Sequence, residues 1–420
     1  MNVLSLFNGM SCGEIAMRNA GMIPDIYYSS EIDKFAIAQT QLNFPNTIQL
    51  GSVVNIDVSE LQPIDILIGG SPCQSFSFAG KRKGMSTKCE IEIHTIEKYL
   101  ELKYQGFEFE GQSYLFWEYM RILTEIRKYN PDVKFLLENV EMGKKWERVL
   151  SEAIGVYPVH INSALVSSQN RKRIYWTNFK TEQRGLFGEL HSDIPQPKDR
   201  GILLKDILES EVDEKYYLSE KMLNYFENNA KIQKLNKNGF SYKPHFDLEV
   251  KGKSITTKEG SRMDDNFVCV AMRGRNPDNP SDRTTGAPTE QRLEPNLSGK
   301  TNCLTGVQKD NLILQVPEAT SKGFIEVEPG ECFDFENPNS TTRRGRKMEY
   351  KSNCLMAKET DFMQFTPQHR IRRLTPTECA RLQTIPDWYR WECSDTQQYK
   401  MLGNGWTIDV ITHIFNHLNL

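Results

Sequence analysis

Val3-Leu4-Ser5-Leu6-Phe7, then Gly13 to Asn19, then Ile26-Tyr27-Tyr28-Ser29-Ser30 running into Glu31, is the stretch that decides the fold. The first run is apolar enough for a buried strand, the second reads as a helix ending at Gly21, and the third reads as another strand closing on an acid. Strand, helix and strand in this order make a βαβ unit. An acid after its second strand is the arrangement that holds a nucleoside through its ribose hydroxyls. The intervening turn, Phe7-Asn8-Gly9-Met10-Ser11-Cys12-Gly13, lacks the G-x-G-x-x-G spacing that seats a pyrophosphate, which argues against a dinucleotide.

Further along, the apolar run Asp65-Ile66-Leu67-Ile68-Gly69-Gly70 ends in Ser71-Pro72-Cys73-Gln74. In an open parallel sheet, chemistry gathers at the carboxyl ends of the strands, so this position presents a thiol to a ligand, with Pro72 stiffening the approach. A lone loop cysteine is ordinarily a small hydrophobe, and Cys73 needs partners before it is read as a nucleophile. Phe135-Leu136-Leu137-Glu138 supplies one, again an apolar run ending in a carboxylate. Gln169-Asn170-Arg171-Lys172-Arg173 supplies the other, with Arg171 and Arg173 on one face if the backbone is extended. Alone, Glu138 would be a helix N-terminal acid and the arginines a solvated edge.

Together and in order, these segments resemble the DNA (cytosine-5) methyltransferases, of bacterial or phage type. The resemblance covers the chain apart from a variable middle. Val3 to Gly13 is similar to the family's cofactor motif, Ser71 to Ser77 (SPCQSFS) to its catalytic loop, Glu138-Asn139-Val140 to its ENV motif and Gln169 to Arg173 to its QxRxR motif. Arg373 to Gln383 resembles RxLTxxExxRLQ, and Leu402-Gly403-Asn404-Gly405-Trp406 the final GN motif. The resemblance implies an α/β fold: a Rossmann-like S-adenosylmethionine-dependent methyltransferase sheet with a smaller, mostly β or irregular target recognition domain. It divides the chain into 1–177 for catalysis and cofactor, 178–365 for target recognition and 366–420 returning to the catalytic domain.

It also implies roles. S-adenosylmethionine, which carries no phosphate and so tolerates a looser glycine turn, would be bound by Phe7, Asn8, Gly9, Cys12, Gly13, Glu31, Ile32, Ser52, Val53, Asn404, Gly405 and Trp406, yielding S-adenosylhomocysteine. Cys73, Glu138, Arg171 and Arg173 would be catalytic. Gln74, Ser77, Lys81, Arg82, Arg343, Arg344 and Arg346 would contact double-stranded DNA. The chemistry stands without the family name. Cytosine C5 is a poor nucleophile, so a thiolate must first add at C6, with Glu138 serving N3 and the exocyclic amine, Arg173 holding O2 and Arg171 supporting Cys73 or its loop. A stacked base is unreachable, so it must be flipped out. A tRNA cytosine-5 methyltransferase of the same family is the alternative, weakened by the large middle region. Two departures from the family pattern stand out: Gly51-Ser52-Val53 replaces the commoner Gly-Asp, and Gly405-Trp406 the commoner Ser-Val. The second, with Ser5 to Gly9 and Leu115 to Glu118, leans towards the de novo eukaryotic-type branch.

Composition sets limits. With 420 residues the chain is long enough for two domains. Its nine cysteines include no Cys-x-x-Cys pair, which speaks for a reducing compartment and against a structural zinc. Met1-Asn2-Val3 enters a strand directly and no apolar run is of membrane-spanning length, so a soluble, cytoplasmic monomer is expected. A cognate restriction endonuclease is a partner the sequence leaves open. The net charge of −3 offers no overall basic footprint, and positive charge is local, at Lys81-Arg82-Lys83, Arg171 to Arg173, Arg343 to Lys347 and Arg370 to Arg373. A helical stripe of Leu115, Phe116, Tyr119, Ile122, Leu123 and Ile126 predicts a helix over 114–129, and Ile408, Ile411, Phe415 and Leu418 predict one at the carboxyl end. His413 and His417 lie on that last helix without a third ligand, so no metal is expected. Residues 85–112 form an unusually long connection, either an extended lid or a surface excursion. In the middle region a weak echo recurs at Gly252 to Thr257, Gly299 to Thr305 and Tyr350 to Leu355, as repeated turn and strand units.

Overall fold

β1 (Asn2–Leu6), β2 (Ile26–Ser30), β3 (Ile48–Gln49), β4 (Ile66–Gly70) and β5 (Lys134–Val140) are the parallel strands of one sheet. In the computed structural model the described residues are 1–72, 85–219, 221–222, 225–226, 232, 250–257, 259, 266–275, 290–294, 314–317, 324–327, 332–334, 347–348, 362–364 and 370–418. β6 (Val159–Asn162), β7 (Gln169–Asn170) and β8 (Lys172–Thr177) follow, and β8 pairs antiparallel with both β5 and β6. The seven-stranded order is β3-β2-β1-β4-β5-β8-β6. Because β8 runs against β5, Arg173 at its start lies opposite Val140 at the end of β5. Both therefore stand on the rim where the parallel strands end.

α1 (Cys12–Asn19), α2 (Lys34–Asn43), α3 (Ile96–Tyr104), α4 (Phe116–Tyr129) and α5 (Lys144–Ile154) accompany the sheet. Val3, Leu4, Ile66, Leu67, Phe135 and Leu136 are fully buried, as expected of parallel strands covered on both faces. The expected stripe of α4 is inside, with Phe116, Tyr119, Ile122, Leu123 and Ile126 all buried. So, however, are Trp117, Glu118 and Met120 on its other side. The cover on that side is the 85–112 segment, whose Met85, Ile93, Tyr99 and Leu102 belong to the same core as Trp117. Bridges between Ser86 and Glu92 and between Thr87 and Phe109 fold it back on itself. It is a packed wall of the domain.

The chain divides into two compact units, one comprising Met1–Leu208, Val250–Asn266 and Leu374–Leu420, the other Glu209–Glu249 and Phe267–Arg373. The first unit runs past the boundary expected at residue 177 and takes back Val250–Asn266 from the middle region. Packing explains that return: Gly252–Lys253 pairs in parallel with β7, and a Cβ on Gly403 would stand 2.5 Å from the Thr256 carbonyl carbon. Helix Ile408–Phe415 also belongs to this unit, lying against α1 with Thr412 Oγ1 donating to Ala16 O at 3.3 Å. The second unit is built of antiparallel pairings, Phe267–Arg275 with Glu290–Glu294 and Arg370–Arg373, and Leu314–Pro317 with Phe324–Val327. Of the sequence echo, Gly252 to Thr257 falls in the first unit, and 299–305 and 350–355 lie outside the described residues. Among the described residues no helix is long and apolar enough to cross a membrane.

Candidate active site

A cavity of about 520 Å³ opens on the rim where β1, β2, β4 and β5 end, within the volume range of small-molecule sites. Phe7, Asn8, Gly9, Cys12, Gly13, Glu31, Ile32, Ser52, Val53, Asn404, Gly405 and Trp406, the twelve residues assigned to the cofactor from sequence, all line it. Glu138, Arg171 and Arg173 line it too, with Ser71 and Pro72. The sheet topology brings these together from segments up to the length of the chain apart.

At one end the backbone dominates. After β1 the chain turns through Phe7 at φ 56°, Gly9 at φ 57° and Ser11 at φ 66°. Left-handed backbone at two residues other than glycine is costly and concentrates at functional turns. Glu31 secures the turn: its Oε2 accepts from Gly9 N at 2.8 Å, and its Oε1 accepts from Ile32 N at 2.8 Å and Asp33 N at 2.9 Å. A carboxylate has roughly four acceptor positions, so capacity remains for a ligand hydroxyl. Asn8 is woven into the scaffold, donating to Ser11 Oγ at 2.8 Å and accepting from Tyr27 Oη at 3.2 Å. Gly13 sits close under its neighbours, since a Cβ there would stand 2.4 Å from Ile68 Cδ1 and oblige that side chain to shift. Burial pushes the Cys12 thiol up to about 11, which keeps it protonated and unsuited to nucleophilic attack near neutral pH.

At the other end side chains hold one another. Glu138 Oε1 lies 3.0 Å from Arg173 Nε, and its Oε2 accepts from Trp406 Nε1 at 3.1 Å. Gly70 makes room for this arrangement, because a Cβ there would stand 2.9 Å from Trp406 Nε1 and 3.0 Å from Glu138 Oε2. The neighbouring Asn139 donates to Ser71 Oγ at 3.0 Å, fixing the end of β4 beside the end of β5. Chain leaving this corner through Ser71 and Pro72 leads to Cys73.

Arg171, expected at the catalytic site in support of Cys73 or its loop, meets main-chain oxygens. It is buried, and its guanidinium donates to Gly405 O at 2.8 Å, Gly403 O at 3.1 Å and Ser254 Oγ at 3.3 Å. These bonds tie residues 403–405 to the returning 250–266 segment. The extended-backbone reading put Arg171 and Arg173 on one face; Arg171 falls in the one-residue break between β7 and β8, and both residues line the cavity. Gln169 and Gln383 complete the brace. Gln169 Nε2 donates to Gln383 Oε1 at 2.9 Å, and Gln383 Nε2 to Leu402 O at 2.7 Å.

Cys73, Gln74, Ser77, Lys81 and Arg82 lie outside the described residues, as do Arg343, Arg344 and Arg346. His413 and His417 bond to carbonyls, Nε2 of His413 with Pro195 O and Nδ1 of His417 with His413 O, both at 2.8 Å. Sequence reasoning missed Asp33 and Lys400, an ion pair on the cavity wall, and Gln112, Tyr114 and Leu115, which also line it. Asp33 could have been found as the residue capping α2, where it accepts from Phe35 N. Lys400 carries no local signal.

The C-5 cytosine-specific DNA methylase family model matches residues 1–419. The orphan methyltransferase M.SPRI of Bacillus phage SPR is 28% identical over an alignment covering 100% of this chain and 97% of its own. The type II methyltransferase M.HgiCI of Herpetosiphon aurantiacus is 27% identical, with 96% and 93% covered. Both come from the bacterial and phage side, not from the eukaryotic branch towards which Gly405-Trp406 leaned. In fold, the chain is similar to the Entamoeba histolytica methyltransferase EhMeth, with a TM-score of 0.54 at 13% identity, covering 100% of this chain and 97% of that one.

Proposed function

This chain belongs to the C-5 cytosine-specific DNA methylase family and is a DNA cytosine-5-methyltransferase, and on that premise we propose that it methylates a flipped-out cytosine within a specific duplex sequence, with Cys73 as nucleophile and S-adenosylmethionine as methyl source. The observation that carries this reading is the corner where Glu138, held by Arg173 and Trp406, stands beside the strand end that leads into Cys73. The cavity fits the cofactor by its chemistry: a carboxylate with spare acceptor capacity for a ribose hydroxyl, apolar Phe7, Ile32 and Val53 for a flat ring, and no phosphate-binding turn. Bound there, S-adenosylmethionine supplies an electrophilic methyl group on a sulfonium.

The protein's own residues then prepare the base. Glu138 donates to N3 and accepts from the exocyclic amine, while Arg173, on the same wall, holds O2. The Cys73 thiolate adds to C6, and the electron pair of the C5–C6 double bond moves so that C5 becomes nucleophilic. Once C5 carries the methyl group, its proton leaves to a base, the C6–S bond breaks and the double bond re-forms. The thiolate is regenerated. Trp406 and Arg171 hold this geometry without touching the base. Flipping costs a few kcal/mol, which contacts to duplex DNA offset. We assign those contacts to Gln74, Ser77, Lys81 and Arg82 near Cys73, and phosphate contacts to Arg343, Arg344 and Arg346 in the target-reading region.

The test is incubation of the purified protein with methyl-labelled S-adenosylmethionine and either duplex DNA or tRNA. Label in duplex DNA as 5-methylcytosine is expected, at one motif that bisulfite sequencing would identify. Label in tRNA alone would establish the alternative substrate and overturn the proposal.

A further inference from the structure

Glu118 on α4 has no exposed surface, yet it is a carboxylate in the core behind the cavity. A buried charge is tolerable only when fully partnered. Its Oε1 accepts from Tyr99 Oη and Lys103 Nζ, both from α3 in the 85–112 segment, and its Oε2 accepts from Arg121 Nε at 2.7 Å. Burial alone would lift the Glu118 carboxyl, but the bonds from Lys103, Tyr99 and Arg121 outweigh it and hold the group below the ordinary carboxylate range. Glu118 thus stays charged and keeps Arg121 in one orientation.

Arg121 turns its remaining donors to main chain. Nη2 donates to Val53 O at 3.2 Å and Nη1 to Ile56 O at 3.1 Å, with Glu125 also on Nη1. The first carbonyl belongs to the short helical turn Val53–Asn55 and the second follows it directly, and Ser52, Val53 and Val54 are lining residues of the cavity. That wall has little support of its own, since β3 before it is only two residues long. It also has no acidic side chain at position 52, so contacts to a purine edge fall to the main chain and depend on where the turn sits.

We propose that Arg121, locked by Glu118 and through it by Tyr99 and Lys103, positions the 52–54 wall for the adenine of S-adenosylmethionine, so that the 85–112 segment is an anchor of the cofactor site. This rests on the cofactor reading above. A planar guanidinium reaches Glu118 and the two carbonyls from three separate nitrogens in one fixed fork, a geometry that the single nitrogen of an ammonium does not reproduce.

The experiment measures cofactor affinity by calorimetry, and KM and kcat with saturating duplex DNA, for Arg121→Met, Arg121→Lys, Tyr99→Phe and Lys103→Met. Arg121→Met should raise Kd and KM for S-adenosylmethionine at least tenfold, with kcat at saturating cofactor within threefold of wild type and KM for DNA unchanged. Arg121→Lys should recover only part of that loss, and Tyr99→Phe and Lys103→Met should each raise KM severalfold. A lower melting temperature with wild-type cofactor KM would overturn the inference, because it would reduce the cluster to a stability element. Where Arg121→Met does not fold, the α3 variants decide, and wild-type affinity in both would overturn it. Failure of the underlying cofactor reading is visible separately, as wild-type protein that does not bind S-adenosylmethionine.

Discussion

At the Glu31 end of the cavity the contacts run through main chain, from the N–H groups of Gly9, Ile32 and Asp33, whereas at the Glu138 end they run between side chains, from Arg173 and Trp406. The two constructions tolerate change differently. A pocket shaped by backbone survives a change of side chain, as long as the turn keeps its course, and Ser52 in place of the commoner acid is such a change. A carboxylate held by an arginine and an indole has no such reserve. Each partner supplies an atom that nothing else described replaces. The cofactor end should therefore lose affinity in small steps, and the base end should lose rate in large ones.

The sharpest division is expected from Cys73→Ala, which should abolish methyl transfer while leaving cofactor affinity within threefold of wild type. On the proposed mechanism the thiol serves covalent addition and not cofactor binding, so rate and calorimetric affinity should separate completely. Residual turnover near the wild-type level would remove the covalent mechanism. Next in size, Glu138→Gln should slow transfer by about three orders of magnitude, about 4 kcal/mol, because an amide cannot supply the proton to N3. A loss under tenfold, about 1.4 kcal/mol, would mean that another group delivers that proton.

How much of this was legible in the sequence follows the same division. β1, α1, β2 and Glu31 were readable because they are local, with periodicity and turn chemistry all within the first 31 residues. Glu138 was readable because an apolar run visibly ended on it. The bond from Trp406 to Glu138 joins residues 268 apart, and only the sheet order and the return of the last helix bring them together. The carbonyls that Arg171 meets were not readable, because sequence alternation shows which residues are charged but not whether backbone oxygens or a ligand will receive them. Glu118 and Arg121 were hidden for a related reason. The apolar stripe of α4 marks the face on the sheet, and nothing local says that α3 covers the opposite face and buries the charges there.

Trp406→Phe tests the hinge between the two ends, since the ring both lines the cavity and donates to Glu138. Removing a hydrogen bond to a charged group costs about 1.5–3 kcal/mol, so kcat should fall roughly tenfold to a hundredfold. Phenylalanine keeps part of the ring surface, so cofactor affinity should fall by less than kcat does. If single-turnover rates stayed at wild type while affinity dropped tenfold, Trp406 would belong to the cofactor end alone, and the side-chain construction of the Glu138 end would need another support.

The smallest effect is expected from Ser52→Asp, which restores the Gly-Asp pattern that the family resemblance implies and from which Gly51-Ser52 departs. Ser52 begins the turn that lines the cavity, with extended backbone at φ −72° and ψ 135°. If a side chain were the missing reader of the adenine amine, a new carboxylate there would add a charge-assisted hydrogen bond, about 1.5–3 kcal/mol, and tighten binding at least tenfold. If main chain already sets the purine edge, as the Arg121 bonds to Val53 O and Ile56 O suggest, the acid gains little beyond what its own desolvation costs. Calorimetry of Ser52→Asp against S-adenosylmethionine should then show a change under threefold in either direction. A tenfold gain would make the wild-type pocket incomplete at its purine edge and dissolve the contrast between a backbone-held end and a side-chain-held one.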